Sequence, residues 1–288
     1  MKGLKQIVIC SVCIAAGVAA GMGGMYGLQR KNIRFAKDNS LLMEVQEQLD
    51  DVGKELPDGM ERDKAVAKGY LTQFDRFTYY KDNSEPTEEQ EVKEDVEAEI
   101  MNGNVLYLKI NGFLGTTHIS VQNKIEPLLP KAKSMIIDLR NNKGGVTTAE
   151  NEISNMFLDS GIVNCYYYNG EEFSYKMRDT DDKIKLPTVI LVNGNTASSS
   201  EIMTALFMQN HGDTTVVGTQ TFGKGVFQDI RKLSNGDEVM IANGYYTVGD
   251  WECYNEVGIT PDIVLEMDES LIGTFSDTQL KKALEILG

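Results

Sequence analysis

Histidine is nearly missing from this 288-residue chain: His118 and His211 are the whole supply. A zinc site built on imidazoles therefore has few candidate ligands, and a histidine-based triad would rest on residues that lie in no recognisable catalytic segment. Cysteine is scarce as well, with four residues, of which Cys10 and Cys13 fall in an apolar N-terminal stretch. The remaining two, Cys165 and Cys253, lack metal-ligand spacing and are left either to pair or to remain free thiols. Basic residues are outnumbered, 28 Lys and Arg against 43 Asp and Glu, for a net charge of −15. With no basic patch and no interleaving of aromatic and basic side chains, there is little to attract a phosphate backbone, which argues against nucleic acid as a partner.

What is present is ample apolar material, 41% of residues, enough for one catalytic domain with appendages. From Gln6 to Gln29 no residue is charged. The run IVICSVCIAAGVAAGMGGMYGL is long enough to cross a hydrocarbon core of roughly 30 Å, and residues 1–29 are read as a single membrane anchor. A cleaved signal peptide is the alternative, because Lys2 and Lys5 form a basic leader and Val18-Ala19-Ala20 offers a cleavage site. Lys2 and Lys5 face Arg30, Lys31 and Arg34 across the run, so charge does not set its orientation.

Residues 30–80 read as a helical region, with Leu41, Leu42, Val45, Leu49 and Val52 at helix-like spacing and a second stretch through Ala65, Val66, Tyr70, Leu71 and Phe74. Segment 81–103 reads as an acidic, solvated linker, since residues 85–99 carry eight carboxylates against Lys93. From residue 104 to 288 strands alternate with helices. Strands are expected over 105–110, 134–140 and 188–192, then near 214–218, 226–232, 238–248 and 262–265. Helices are expected over 118–129, around Ala149, Ile153, Met156 and Phe157, from Ile202 onward, and at the end through Leu280, Ala283, Leu284 and Leu287. This alternation implies a layered α/β core.

Three segments carry chemistry. In NTASSSEI, Ser198 stands where an apolar strand runs into a helix start, whose free N–H groups favour a developing anion; serines there also serve simply as caps. In TFGKG, Lys224 lies between two glycines and among apolar strands, so it is either a buried base or a surface hairpin lysine. A serine becomes a nucleophile near neutral pH only if a base takes its proton, and lysine does so once burial brings it down from its ordinary value of about 10.4. Gln228, two strand steps along the same face, is placed to orient the amine. In IIDLRNNKGG, Gly144 and Gly145 bring backbone N–H groups close to a substrate, or simply turn a strand into a helix; with the amide of Ser199 they can form an oxyanion hole.

IIDLRNNKGG, VNGNTASSSEI, VVGTQTFGKGVFQ, NGYYT and VGITPDIVLE follow one another in the order and spacing of the carboxyl-terminal processing peptidases, or tail-specific proteases, which residues 104–288 therefore resemble. The resemblance implies an α/β, crotonase/ClpP-like catalytic core and a serine endopeptidase acting on polypeptides, located outside the cytoplasm and needing no metal or organic cofactor. It carries the nucleophile onto Ser198, the general base onto Lys224, the lysine-supporting amide onto Gln228, and the oxyanion contacts onto Gly144 or Gly145 with Ser199. It also implies that the serine and lysine side chains lie near hydrogen-bond reach. Two departures stand out. The interval from Ser198 to Lys224 is one residue longer than the family pattern, the excess falling near Asn210-His211-Gly212, and 81–103 occupies the place of a PDZ domain far larger than itself. These departures motivate a second reading, an inactive, membrane-tethered protein that binds peptides by strand addition. An acyl-handling enzyme on the related crotonase scaffold is a third, since fold alone does not determine chemistry.

Overall fold

The computed structural model describes residues 61–84, 95–178 and 182–288. The expected membrane anchor and the helix through Leu41–Val52 lie outside these residues. Among the described residues no helix is long and apolar enough to cross a membrane. The chain divides into units Met1–Val66 and Ala67–Gly288, and of the first only residues 61–66 are described, at the start of helix α1 (Arg62–Leu71).

The larger sheet is built from β2 (Val96–Met101), β3 (Val105–Ile110), β4 (Ser134–Asp138), β7 (Thr188–Val192), β8 (Thr214–Gly218) and β11 (Ile263–Val264). Their order is β11-β8-β7-β4-β3-β2, parallel throughout except for the antiparallel β2. Every residue of β4 and of β7 is buried, because both faces of the sheet are covered and short continuous apolar runs satisfy both. On one face lie Met135, Ile137, Ile190 and Val192, in a core shared with α2 (Thr117–Ile125), α3 (Thr147–Phe157) and α4 (Ser199–Asn210). Ile136, Val189 and Leu191 face the other way, where Ala283 of α5 (Thr278–Leu287) packs on them.

The smaller sheet is antiparallel. It runs β1-β10-β5-β6, with β9 on the other side of β10: β1 (Tyr79–Lys81), β5 (Ile162–Tyr167), β6 (Glu172–Lys176), β9 (Val226–Lys232) and β10 (Glu238–Val248). Val163, Cys165, Tyr246 and Val248 seat it on the same core as α3 and α4.

The strand–helix alternation expected from residue 104 onward is found, with α2 stopping at Ile125 and a 3-10 turn at Leu129–Lys131 replacing its expected tail. Two boundaries need correcting. The end of the acidic segment is a strand, not a solvated linker: in Val96-Glu97-Ala98-Glu99-Ile100 the apolar residues alternate with carboxylates, so Val96 is buried and the glutamates face out as the strand pairs with β3. Similarly, Phe77, Thr78 and Tyr80 belong to the smaller sheet's side of the core and not to a separate helical region, since all three are buried and β1 pairs with β10. Strands β5 and β6 were not expected at all. Glu172–Lys176 is a mostly exposed edge strand without a buried face to impose an alternating pattern.

Candidate active site

The candidate residues gather beyond the carboxyl ends of the parallel strands, where open α/β sheets place their ligand sites. The connection from β7 to α4 turns sharply at Ser198, which has φ +58° and ψ −122°. A non-glycine residue in that region costs roughly 1–3 kcal/mol and persists only when its surroundings over-determine it. Here they do. The Ser198 N–H donates to Glu201 Oε2 at 2.9 Å, and the Glu201 N–H donates back to the Ser198 carbonyl at 2.8 Å. Just upstream, Thr196 Oγ1 receives the Asn193 N–H at 2.9 Å and donates to the Leu139 carbonyl at 2.8 Å, tying the turn to the end of β4.

Glu201 does more than cap its helix. Its Oε1 accepts from Thr221 Oγ1 at 2.6 Å and from the Gly223 N–H at 2.8 Å, while Oε2 also accepts from the Lys224 N–H at 2.8 Å. One fully buried carboxyl group thus holds the backbone of the serine turn and of the lysine loop together. Burial pushes its pKa up, and the four donors work against that push. The spacing Ser-x-x-Glu is a capping-box signature, so Glu201 was findable from the sequence; its second set of partners, 20 to 23 residues on, was not.

The lysine loop needs Gly223 at φ +82°, with the backbone of Gly258 only 2.8 Å from where a Cβ would stand. Lys224 is half-buried, and its Nζ donates to Gln228 Oε1 at 2.5 Å, the pairing that the two-step strand spacing implied. Burial lowers its pKa, and the Glu201 carboxylate partly opposes this. The hydroxyl of Tyr246, on β10, donates to the Lys224 carbonyl. Burial drives the titration of that hydroxyl far upward, and Ser198 is among the groups that bear on it.

Gly144 packs directly against the serine turn. It has φ +92°, and a Cβ on it would stand 2.8 Å from that of Ser198 and 3.0 Å from the Ser199 nitrogen. The two glycines of this loop differ in what their amides do. The Gly144 N–H donates to Asn142 Oδ1 at 2.9 Å, whereas among the described residues no acceptor engages the N–H of Gly145 or of Ser199. Asn142, given no role of its own within IIDLRNNKGG, holds this loop to the serine turn: its carbonyl accepts from the Ala197 N–H and from Ser200 Oγ, both at 3.0 Å.

Ser198, Gly145, Lys224 and Gln228 all line one cavity of about 550 Å³, with Cys165, Tyr175, Ile202, Val226, Phe227 and Tyr246 as its apolar walls. Within it, no hydrogen bond joins Ser198 Oγ to Lys224 Nζ; the amine is engaged by Gln228, and catalytic pairs are commonly looser without substrate than with it. Cys165 and Cys253 are unpaired. His118 is not among the residues that line this cavity, and His211 Nδ1 pairs with Thr214 Oγ1 at 2.9 Å where α4 ends and the turn to β8 begins.

Residues 104–265 match the model of peptidase family S41. The chain is 33% identical over 179 residues to the carboxy-terminal processing protease CtpA of Bacillus subtilis, covering 61% of this chain and 38% of that one. It is 32% identical over 191 residues to the carboxyl-terminal-processing protease of Synechocystis, covering 64% and 44%. The chain therefore spans well under half the length of these relatives. Among solved structures, its fold is similar to that of a lipoprotein from Streptococcus agalactiae, with TM-score 0.60, 16% identity and 78% and 80% of the two chains covered. It is also similar to the photosystem II D1 C-terminal processing protease, with TM-score 0.53, 24% identity and 60% and 48% covered.

Proposed function

The chain belongs to peptidase family S41, and on that premise we propose that it is a membrane-anchored serine endopeptidase that cleaves polypeptides outside the cytoplasm with Ser198 and Lys224 as its catalytic dyad. The observation that carries the reading is the convergence of a strained serine at a helix N-terminus and a half-buried lysine of lowered pKa on one apolar-walled cavity. The uncharged run between Gln6 and Gln29 supports the anchor.

In this mechanism the neutral amine of Lys224 takes the proton of Ser198 Oγ as that oxygen bonds to the scissile carbonyl carbon. The carbonyl oxygen becomes an oxyanion and meets the N–H groups of Gly145 and Ser199. Gly144, whose N–H is already engaged by Asn142, contributes close packing instead. Collapse of the tetrahedral species breaks the carbon–nitrogen bond, and Lys224 returns the proton to the leaving amine. Water then attacks the acyl-enzyme, giving its proton to Lys224, which passes it back to Ser198. Gln228 orients the amine throughout.

The test is cleavage of an unfolded protein by the full-length chain in detergent beside Ser198→Ala and Lys224→Ala. Each variant is expected to lose on the order of 10⁴-fold or more in kcat, with the double variant no worse than either single one. Cleavage by the variants at the wild-type rate would sink the dyad. Binding of unfolded protein by all forms, with cleavage by none, would make the cavity a peptide-holding groove.

A further inference from the structure

Residues 75–78 lie upstream of the family match, about 150 positions from the lysine in sequence, yet they pack against it. The Phe77 carbonyl accepts from Gln228 Nε2 at 2.5 Å, while Gln228 Oε1 accepts from Lys224 Nζ at 2.5 Å. A side-chain amide has one accepting and one donating end, and a backbone carbonyl can only accept. The Phe77 carbonyl therefore dictates which end of Gln228 faces the lysine. With Oε1 turned toward Nζ, one N–H of a neutral amine is spent on Gln228 and its lone pair is directed elsewhere in the cavity. Were the amide reversed, Oε1 would face the Phe77 carbonyl, acceptor against acceptor, and the amide N–H would occupy the lone pair that the amine needs as a base.

The rest of the segment holds that carbonyl still. Arg76 Nη2 donates to the carbonyls of Phe222 at 3.1 Å and of Gly223 at 2.9 Å, the two residues preceding Lys224. Its guanidinium lies 4.7 Å from the ring centroids of both Phe77 and Phe222. Asp75 Oδ1 caps the Phe77 N–H at 2.7 Å and Oδ2 accepts from Thr78 Oγ1 at 2.8 Å, and that hydroxyl receives the Ala242 N–H of β10 at 3.1 Å. The Phe77 ring itself lies 5.8 Å from Lys224 Nζ, so Arg76 and Lys224 share one aromatic neighbour.

We propose that Asp75–Thr78 is a positioning element for the lysine base, in which Arg76 clamps the segment and the Phe77 carbonyl sets the Gln228 amide. This rests on the assignment of Lys224 as the base. Of the charged and titratable groups around this loop, the Glu201 carboxylate from α4 bears on the Lys224 amine, while the Tyr246 hydroxyl from β10 meets the Lys224 carbonyl, the Cys253 thiol the Gly225 carbonyl, and Arg76 the Gly223 carbonyl. Removing Arg76 loosens this wall of the site and lets water reach the amine. Hydration undoes part of the burial that lowers the pKa of Lys224, so the acidic limb of the rate profile moves to higher pH.

The experiment measures kcat and KM against pH for full-length wild type, Arg76→Ala, Arg76→Lys, Gln228→Ala and the Arg76→Ala/Gln228→Ala pair, with thermal unfolding of each. Arg76→Ala is expected to lower kcat roughly 10–100-fold with KM little changed and the acidic limb displaced upward. Arg76→Lys should recover part of the rate, and the double variant should be no slower than Gln228→Ala alone, because Arg76 acts through the amide. Losses that multiply in the double variant, or an Arg76→Ala enzyme with wild-type kcat and an unmoved limb, would overturn the proposal. If Arg76→Ala does not fold, Asp75→Asn, which loosens the same segment, is held to the same outcomes. A Lys224→Ala enzyme as active as wild type would instead remove the base assignment, whatever Arg76 does.

Discussion

The two sheets contribute one catalytic candidate each, and they do so under different physical conditions. Ser198 follows β7, a strand buried on both faces between α4 and α5, whereas Lys224 stands just before β9 (Val226–Lys232), whose last three residues are exposed and which, among the described residues, pairs with β10 alone. The first frame is close-packed and has little freedom to adjust. The second depends on hydrogen bonds and on a segment, 75–78, drawn from far upstream. The contrast suggests a division of labour in which packing fixes the strand that delivers the serine and hydrogen bonds hold its turn, while the lysine is set by polar contacts alone, Glu201 being the buried joint between them.

Three measurements can break or sharpen that contrast. The largest effect is expected at Arg140, which follows β4 and is wholly buried, donating to Asp138 at 2.6 Å and to Asp277 at 2.9 Å. Arg140→Ala leaves two buried carboxylates without their cation and should cost about 3–5 kcal/mol in urea unfolding. Burial opposes the charge of Asp277, but the guanidinium and two backbone amides more than compensate and hold its carboxyl below the ordinary range. A depressed carboxyl contributes stability that is present above its unfolded value, about 3.9, and is lost as pH falls through the folded one. Wild type should therefore lose stability below that pH and Arg140→Ala should lose less.

Next comes a matched pair of truncations. Ile137→Ala in β4, with no exposed surface, should cost about 2–5 kcal/mol, whereas Phe173→Ala in β6, 48% exposed, should stay within about 0.5 kcal/mol. Equal costs would erase the distinction between the sheets. The smallest effect is electrostatic. Glu201 opposes the lowering of the lysine's pKa, so Glu201→Gln should move the acidic limb of kcat/KM to lower pH, opposite in sign to Arg76→Ala. A limb that moves upward in Glu201→Gln would mean that the carboxylate acts on Lys224 only by holding its loop.

Much of the larger sheet was legible because its strands are short apolar runs and the helices on it repeat every three to four residues; β7 and β8 occur over the residues expected of them. The smaller sheet was legible only in part. Glu172–Lys176 buries too little to show a pattern, and in Val96–Met101 the carboxylates hid an alternating strand within what reads as a solvated run. At the site, Ser198, Lys224, Gln228, Gly145 and Ser199 were nameable from local motifs and all but Ser199 line the cavity. Asn142, Thr221 and Tyr246 lie within the quoted segments IIDLRNNKGG, VVGTQTFGKGVFQ and NGYYT but were given no role there, since what each side chain does depends on partners that the segments do not name.

By itself the sequence determined which residue types could do chemistry and the succession of elements that would present them, because helix periods, strand runs and capping spacings are properties of neighbours along the chain. Only the tertiary structure decided that Gly145 and not Gly144 keeps a free amide, that one carboxyl group joins the serine turn to the lysine loop, and that Arg76 and Phe77 reach across to set the lysine's partner. Apart from the turn between Asn142 and Gly144, those contacts join residues tens to more than a hundred positions apart, and what brings them together is the packing of two sheets on a shared core, which no local pattern encodes.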